Sequence, residues 1–128
     1  MNRATFFLLC GALSGFLSVA AGAFGAHALR SRLPADLQAI FETGNRYQMY
    51  HALALCLLGV LGRGGVPAGP YTLSGVGFLG GTLLFSGSLY VLALSGQRWL
   101  GAITPLGGLC FLGGWVCLAL SAAAGPER

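Results

Sequence analysis

Long uncharged apolar runs, broken by short polar stretches, set the pattern of this 128-residue chain. Twenty-six residues pass from Ala4 to Leu29 without an Asp, Glu, Lys or Arg. The same holds from Val66 to Gln97 and from Leu100 to Gly125. A helix needs about 20 apolar residues to cross a bilayer, so each run is long enough. The pattern predicts spans near 6–26, 71–94 and 100–124. Pro105 stands near the start of the last, where a missing backbone N–H costs least.

The second span is the odd one, expected near 44–62. Between Arg46 and Arg63 lie 16 residues, which as a helix reach about 24 Å, short of a hydrocarbon core of about 30 Å. Either both arginines snorkel to the interfaces, or the helix extends upstream and carries Glu42 and Arg46 with it. Pro34 is placed as a first helical residue with Asp36 in the first turn, and Leu37, Ile40, Phe41 and Gly44 follow at helical spacing. Pro34 to Thr43 is therefore expected to be an interfacial amphipathic segment running into span two. The predicted fold is all-α: one membrane domain over 1–128, a four-transmembrane-helix bundle with a short interfacial amphipathic helix between spans one and two.

Composition narrows the class. Hydrophobic residues make up 55% of the chain and charged residues 8%, against about 25% charged in soluble domains. That excludes a soluble globule, and a chain this apolar is not disordered. The net charge of +4 comes from seven arginines against Asp36, Glu42 and Glu127, spread too thinly for a nucleic-acid surface. With four spans, Arg3, Arg63 and Arg128 share one side, and Arg30, Arg32, Arg46 and Arg98 the other. That balance sets no strong orientation, although Arg3 before the first span favours a cytoplasmic N-terminus. Insertion both ways up, and with it an antiparallel homodimer, stays open. Arg3, the run Phe6–Ala20 and the triplet Ala21-Gly22-Ala23 imitate a secretory signal. The run continues through Leu29, longer than a typical signal core, so it is read as a retained span.

Glycine supplies the packing signal. Gly11 and Gly15 are four apart, Ser18 and Gly22 continue that face, Gly77 and Gly81 repeat the spacing, and Gly107, Gly108, Gly113 and Gly114 fall in span four. Small faces let helices approach closely in lipid, within one chain or between protomers. Cys10, Cys56, Cys110 and Cys117 all fall in spans without a C-x-x-C and read as small hydrophobes.

The polar side chains gather toward the first loop. His27 ends span one, Arg30 and Arg32 follow, and Glu42, Arg46, Tyr47, Tyr50 and His51 line the entry to span two. Glu42 and Arg46 are spaced for a helical ion pair, and Tyr47 and His51 for a hydrogen bond. His51 is expected about 7 Å inside the boundary, where an ionisable group is either helix glue or a functional site. His27 and His51 at one depth could hold a metal or a haem iron. No H-E-x-x-H, third histidine or carboxylate surplus supports that, so no metal or cofactor is expected. Ser86, Ser88 and Ser95 lie outside any G-x-S-x-G, no G-K-[ST] follows a glycine loop, and no catalytic residue is assigned. The size and balanced arginines are similar to those of small multidrug transporters, but no Asp or Glu lies in a span interior.

Two stretches carry a family resemblance: Gly22-Ala-Phe-Gly-Ala-His-Ala-Leu29, and Phe41-Glu-Thr-Gly-Asn-Arg-Tyr-Gln-Met-Tyr-His-Ala-Leu-Ala-Leu55. With Gly81-Thr-Leu-Leu-Phe-Ser-Gly-Ser-Leu-Tyr90, Leu94-Ser-Gly96, Ile103-Thr-Pro-Leu-Gly-Gly108 and Gly114-Trp115, nearly the whole chain resembles the YgdD-like family of small bacterial inner-membrane proteins. The resemblance implies a four-helix inner-membrane protein and no activity that can be carried over. The matching polar positions are His27, Glu42, Arg46, Tyr47, Tyr50, His51, Ser86, Ser88, Tyr90, Thr104 and Pro105. The expected function is non-enzymatic: a self-associating bundle or an accessory membrane subunit, with membrane lipid around it. The alternative is a small-molecule, lipid or ion binder or transporter using His27, Glu42, Arg46 and His51.

Overall fold

In the computed structural model, which describes residues 1–126, the chain forms four long helices; Glu127 and Arg128, part of the charge balance above, lie outside the described residues. Helix α1 runs from Arg3 to Leu29, α2 from Ala35 to Leu61, α3 from Ala68 to Ser95, and α4 from Thr104 to Ala124. Capping residues explain most ends. The Asn2 side chain accepts from the Thr5 N–H at 2.9 Å and opens α1. Pro34 caps α2 with Asp36 in its first turn. Gly96, at φ 73°, closes α3 through its N–H to the Leu92 carbonyl, a left-handed conformation that costs glycine little. A 3₁₀ turn, Arg98–Ala102, leads into α4, whose first turn holds Pro105.

Three of these helices are long and apolar enough to cross a membrane: α1, α3, and α4 together with its leading turn. Helix α2 matches them in length but not in apolarity, since its first half carries Asp36, Gln38, Glu42, Asn45, Arg46 and Gln48. The separate interfacial segment expected at Pro34–Thr43 is not a separate element. Residues 35–61 form one unbroken helix, because nothing between Thr43 and Gly44 breaks it and Gly44 is buried against α3.

Two helices widen locally into π-helical turns, Gly25–Leu29 at the end of α1 and Thr82–Ser86 within α3. Side-chain donors serve carbonyls at both places. Gln38 Nε2 donates to the Gly25 carbonyl at 3.0 Å, Thr82 Oγ1 to Phe78 at 2.8 Å, and Ser88 Oγ to Phe85 at 3.0 Å.

The helices pack as two close antiparallel pairs, α1 with α2 and α3 with α4, joined where α2 lies on α3. Between α1 and α2, a Cβ on Gly11 would meet the Ala52 carbonyl at 2.7 Å, and one on Gly59 would meet the Ala4 carbonyl at 2.9 Å. Gly25 lies on the Phe41 ring. Between α3 and α4, Gly77 faces the Cys110 carbonyl and Gly114, Gly81 faces Phe111, and Gly107 faces the Phe85 backbone. Ser74 Oγ also donates to the Gly114 carbonyl at 2.8 Å. The central core holds Phe7, Ala54, Leu55, Leu58, Tyr71, Phe78 and Phe111. Outward faces are apolar as well: Phe16, Leu83, Leu109 and Leu112 are all exposed, as helices solvated by lipid require.

Of the nine glycines expected to pack helices, Gly11, Gly22, Gly77, Gly81, Gly107 and Gly114 sit against a neighbour too closely for an unopposed Cβ. Gly15 and Gly108 leave ordinary van der Waals space, and Gly113 faces open space. Gly25, Gly44, Gly59, Gly62 and Gly75 make close approaches that glycine spacing alone did not single out.

Candidate functional site

The buried stripe of α2 is Phe41, Gly44, Gln48, His51, Leu55 and Leu58, alternating steps of three and four. That periodicity carries two polar side chains into the bundle. His51 is 4% exposed and sits in an aromatic cage. Its ring stacks on Phe111 with centroids 3.5 Å apart and planes 7° from parallel. Phe78 and Trp115 meet it at an angle, at 5.5 Å and 5.8 Å.

Both imidazole nitrogens are engaged. Nδ1 is 2.7 Å from the Tyr47 carbonyl, which can only accept, so Nδ1 carries the proton. Nε2 accepts from Trp115 Nε1–H at 3.0 Å, which fixes the neutral tautomer. The expected Tyr47–His51 bond thus uses the Tyr47 main chain. The phenol instead packs on Phe85, with its ring edge toward Tyr50.

The two histidines do not share a level, contrary to the expectation from sequence. His27 is exposed on the π-turn of α1, two residues beyond Gly25, which lies on Phe41. His51 is ten residues past Phe41, about 15 Å along α2. Because the helix begins at Ala35, His51 lies about 24 Å from its start and not one turn inside. Among the described residues no group of three or more His, Cys, Asp or Glu could hold a metal, and all four cysteines are free and half-buried.

A second polar cluster joins three helices. Asn45 Nδ2 donates to the Ser18 carbonyl at 2.7 Å, to Ser18 Oγ at 3.2 Å and to Tyr90 Oη at 3.1 Å. Ser18 Oγ donates back to the Asn45 carbonyl at 3.1 Å. Tyr90 Oη donates to Gln48 Oε1 at 2.6 Å, and Gln48 Nε2 reaches the Ser14 carbonyl at 3.2 Å. This chain ties α1, α2 and α3 together. The search for ionisable groups passed over Asn45, Gln48 and Ser14; the available signal was a pair of amides three apart in a helix, one on its apolar stripe.

The charged residues stay outside. Glu42, Arg46, Arg30 and Arg32 are exposed. Glu42 and Arg46 do not form the expected ion pair: Glu42 Oε1 accepts from Gln38 Nε2 at 3.2 Å, and Arg46 has no hydrogen-bond or ion-pair partner among the described residues. Both line an open groove of about 650 Å³ between α1 and α2, walled by Ser18, Gly22, Ala23 and Ala26 opposite Asn45 and Met49. Tyr50 lies at its deep end and also borders an apolar groove of about 730 Å³ toward α4, over Phe85 and Leu109. Asp36 meets Arg98 at 2.6 Å at the loop end of the bundle. That guanidinium holds the Asp36 carboxyl below its usual range.

Comparison with known proteins places the chain among membrane proteins. The family model described as "Protein of unknown function (DUF423)" matches residues 21–108, which include His27, His51, Thr104 and, of the polar network, Asn45, Gln48 and Tyr90 but not Ser14 or Ser18. UPF0382 membrane protein SH2409 of Staphylococcus haemolyticus is 44% identical, over 90% of this chain and 93% of its own. UPF0382 membrane protein YwdK of Bacillus subtilis is 40% identical over 91% and 94% of the two chains. UPF0382 inner membrane protein YgdD of Escherichia coli K12 is 44% identical over 91% and 88%. No solved structure matches the chain. With a family model covering most of its length and relatives aligned nearly end to end, the chain belongs to the DUF423, or UPF0382, family of membrane proteins.

Proposed function

We propose that the chain is a multi-pass inner-membrane protein that crosses the bilayer four times and acts without chemistry of its own, as a self-associating or accessory membrane subunit. Register supports the fourth crossing. Ala4 lies beside Gly62 and Gly25 beside Phe41, so each of α1 and α2 spends 21 residue steps between the two levels. That is about 32 Å, the thickness of a hydrocarbon core. A helix paired along its whole length with a membrane-crossing partner crosses with it. The polar half of α2 is tolerable at that depth because Asn45, Gln48 and His51 bond to neighbouring helices, and Glu42 and Arg46 face an open groove and not the apolar core.

The observation that carries the non-catalytic reading is the engagement of the interior polar groups with one another. His51 has both nitrogens occupied, and Asn45, Gln48 and Tyr90 form a closed relay. Such groups bind helices together, and the His51 imidazole has no free nitrogen to act as a base. The apolar outer face of α4, with Gly113 open between Leu109, Leu112 and Val116, leaves room for another helix. Purification of the tagged protein in mild detergent, with light scattering and mass analysis of what travels with it, is expected to return an oligomer or a defined complex. A strictly monomeric, partner-free species would contradict the proposal.

A further inference from the structure

We infer that the groove between α1 and α2 is a binding site for a phospholipid whose headgroup joins a phosphate to a primary ammonium. The inference rests on the crossing of α2 proposed above, and not on association of the protein through any face other than this groove. It begins with Arg46. Five residues past Phe41, this side chain starts about 7 Å below the level where Gly25 meets Phe41, and among the described residues no acid lies within ion-pair distance. A guanidinium at that depth requires an anion or water, and the anion available along a lipid-facing groove is a phosphate, which its planar donors match.

Glu42 supplies the second half. It lies one turn nearer the rim on the same face and engages Gln38 and not Arg46. The groove therefore presents a cation deeper and an anion shallower, with no net charge. A zwitterionic headgroup has the opposite arrangement in the same direction: phosphate toward the acyl chains, ammonium toward water. An anionic headgroup such as phosphatidylglycerol would place neutral hydroxyls, and no cation, beside Glu42. A quaternary ammonium would have no N–H to donate to it.

The shape of the groove agrees. Gly22, Gly25, Ala23 and Ala26 keep the α1 wall low, and Val19 and Met49 continue the floor toward the bilayer centre, where an acyl chain would lie. Gly22 cannot become larger without cost, since a Cβ there would stand 3.0 Å from Asn45 Oδ1.

Native mass spectrometry of the full-length protein, presented with phosphatidylethanolamine, phosphatidylcholine and phosphatidylglycerol of identical acyl chains, tests the site. Wild type is expected to retain phosphatidylethanolamine over either competitor by about tenfold, the lower end of one charge-assisted hydrogen bond. Arg46→Gln should lose retention of all three by a similar factor. Glu42→Gln should keep phosphate-dependent binding and lose the preference for the primary amine. Ala23→Trp should obstruct the groove with both charges in place. All three positions are exposed, and unchanged helical circular dichroism and melting would show that the variants fold. Equal retention of the three lipids by wild type, or no change in Arg46→Gln, would overturn the inference. Cross-links between the groove residues of two protein copies would also overturn it, by assigning the groove to a second chain.

Discussion

Replacing Gly77 by alanine is expected to destabilise the bundle by about 1–3 kcal/mol, the usual cost of overpacking a close contact. The added Cβ would stand 2.8 Å from the Cys110 carbonyl and 2.9 Å from the Gly114 Cα. Both are backbone atoms of α4, so no side-chain rotation relieves the clash; α3 and α4 must separate. Separation also stretches the Ser74 bond to the Gly114 carbonyl. Gly113 is the matched control. It lies in the partner helix α4, beside Gly114, but a Cβ there meets nothing within 4 Å. Gly113→Ala should be neutral or stabilising by up to about 1 kcal/mol, the difference in helix propensity. Unfolding midpoints in mixed micelles distinguish the two variants. Equal effects would mean that the α3–α4 contact is looser than described.

Removal of the Asn45 amide is expected to cost about 1–3 kcal/mol. One side chain donates to Ser18 twice and to Tyr90 once, and interhelical bonds in lipid average about 0.6 kcal/mol with a maximum near 1.7. Tyr90→Phe removes the bond to Gln48 and the one from Asn45, so the two substitutions share a contact. A double-mutant cycle on Asn45→Ala and Tyr90→Phe should give a coupling of about 0.5–1.5 kcal/mol. Additivity would mean that the relay does not act as one unit. Gln48→Leu should act in the same direction. It removes the donor to Ser14 and leaves the Tyr90 hydroxyl without its acceptor, although the added apolar contact offsets part of the loss.

Much of this architecture was legible in the residues, for identifiable reasons. Pro34 and Pro105 mark helix starts because a missing backbone donor costs least there. Helices α1, α3 and α4 announce themselves by long stretches without charge. Helix α2 was harder, because burial of Gln48 and His51 depends on which helices face them and not on local hydropathy. For that reason the sequence predicts an interfacial segment over Pro34–Thr43 running into span two, where the structure has one helix from Ala35 to Leu61. The π-turns had no clear local signal: the Gly25 carbonyl accepts from Gln38, on another helix, and the Phe78 carbonyl accepts from Thr82 one turn on in its own helix.

The candidate site divides similarly. Glu42, Arg46 and Tyr50 were found as charges and aromatics at a rim, and they do line one groove. His51 was found as well, but its chemistry changes with its surroundings: Trp115, 64 residues away in the chain, occupies the nitrogen that would otherwise be free. His27 and His51 were placed together because loop proximity stood in for depth. The length of α2 separates them.

The central claim is that α2 crosses the bilayer alongside α1, and site-directed thiol labelling tests it most directly. In a background lacking the four native cysteines, Ser31→Cys, Gly64→Cys and Gln97→Cys place one thiol in each loop. A membrane-impermeant reagent added to sealed vesicles of one orientation should label Ser31→Cys and Gln97→Cys from the same side and Gly64→Cys only from the other. Labelling of Ser31→Cys and Gly64→Cys from one side would contradict the account, because α2 would then begin and end on the same face of the membrane.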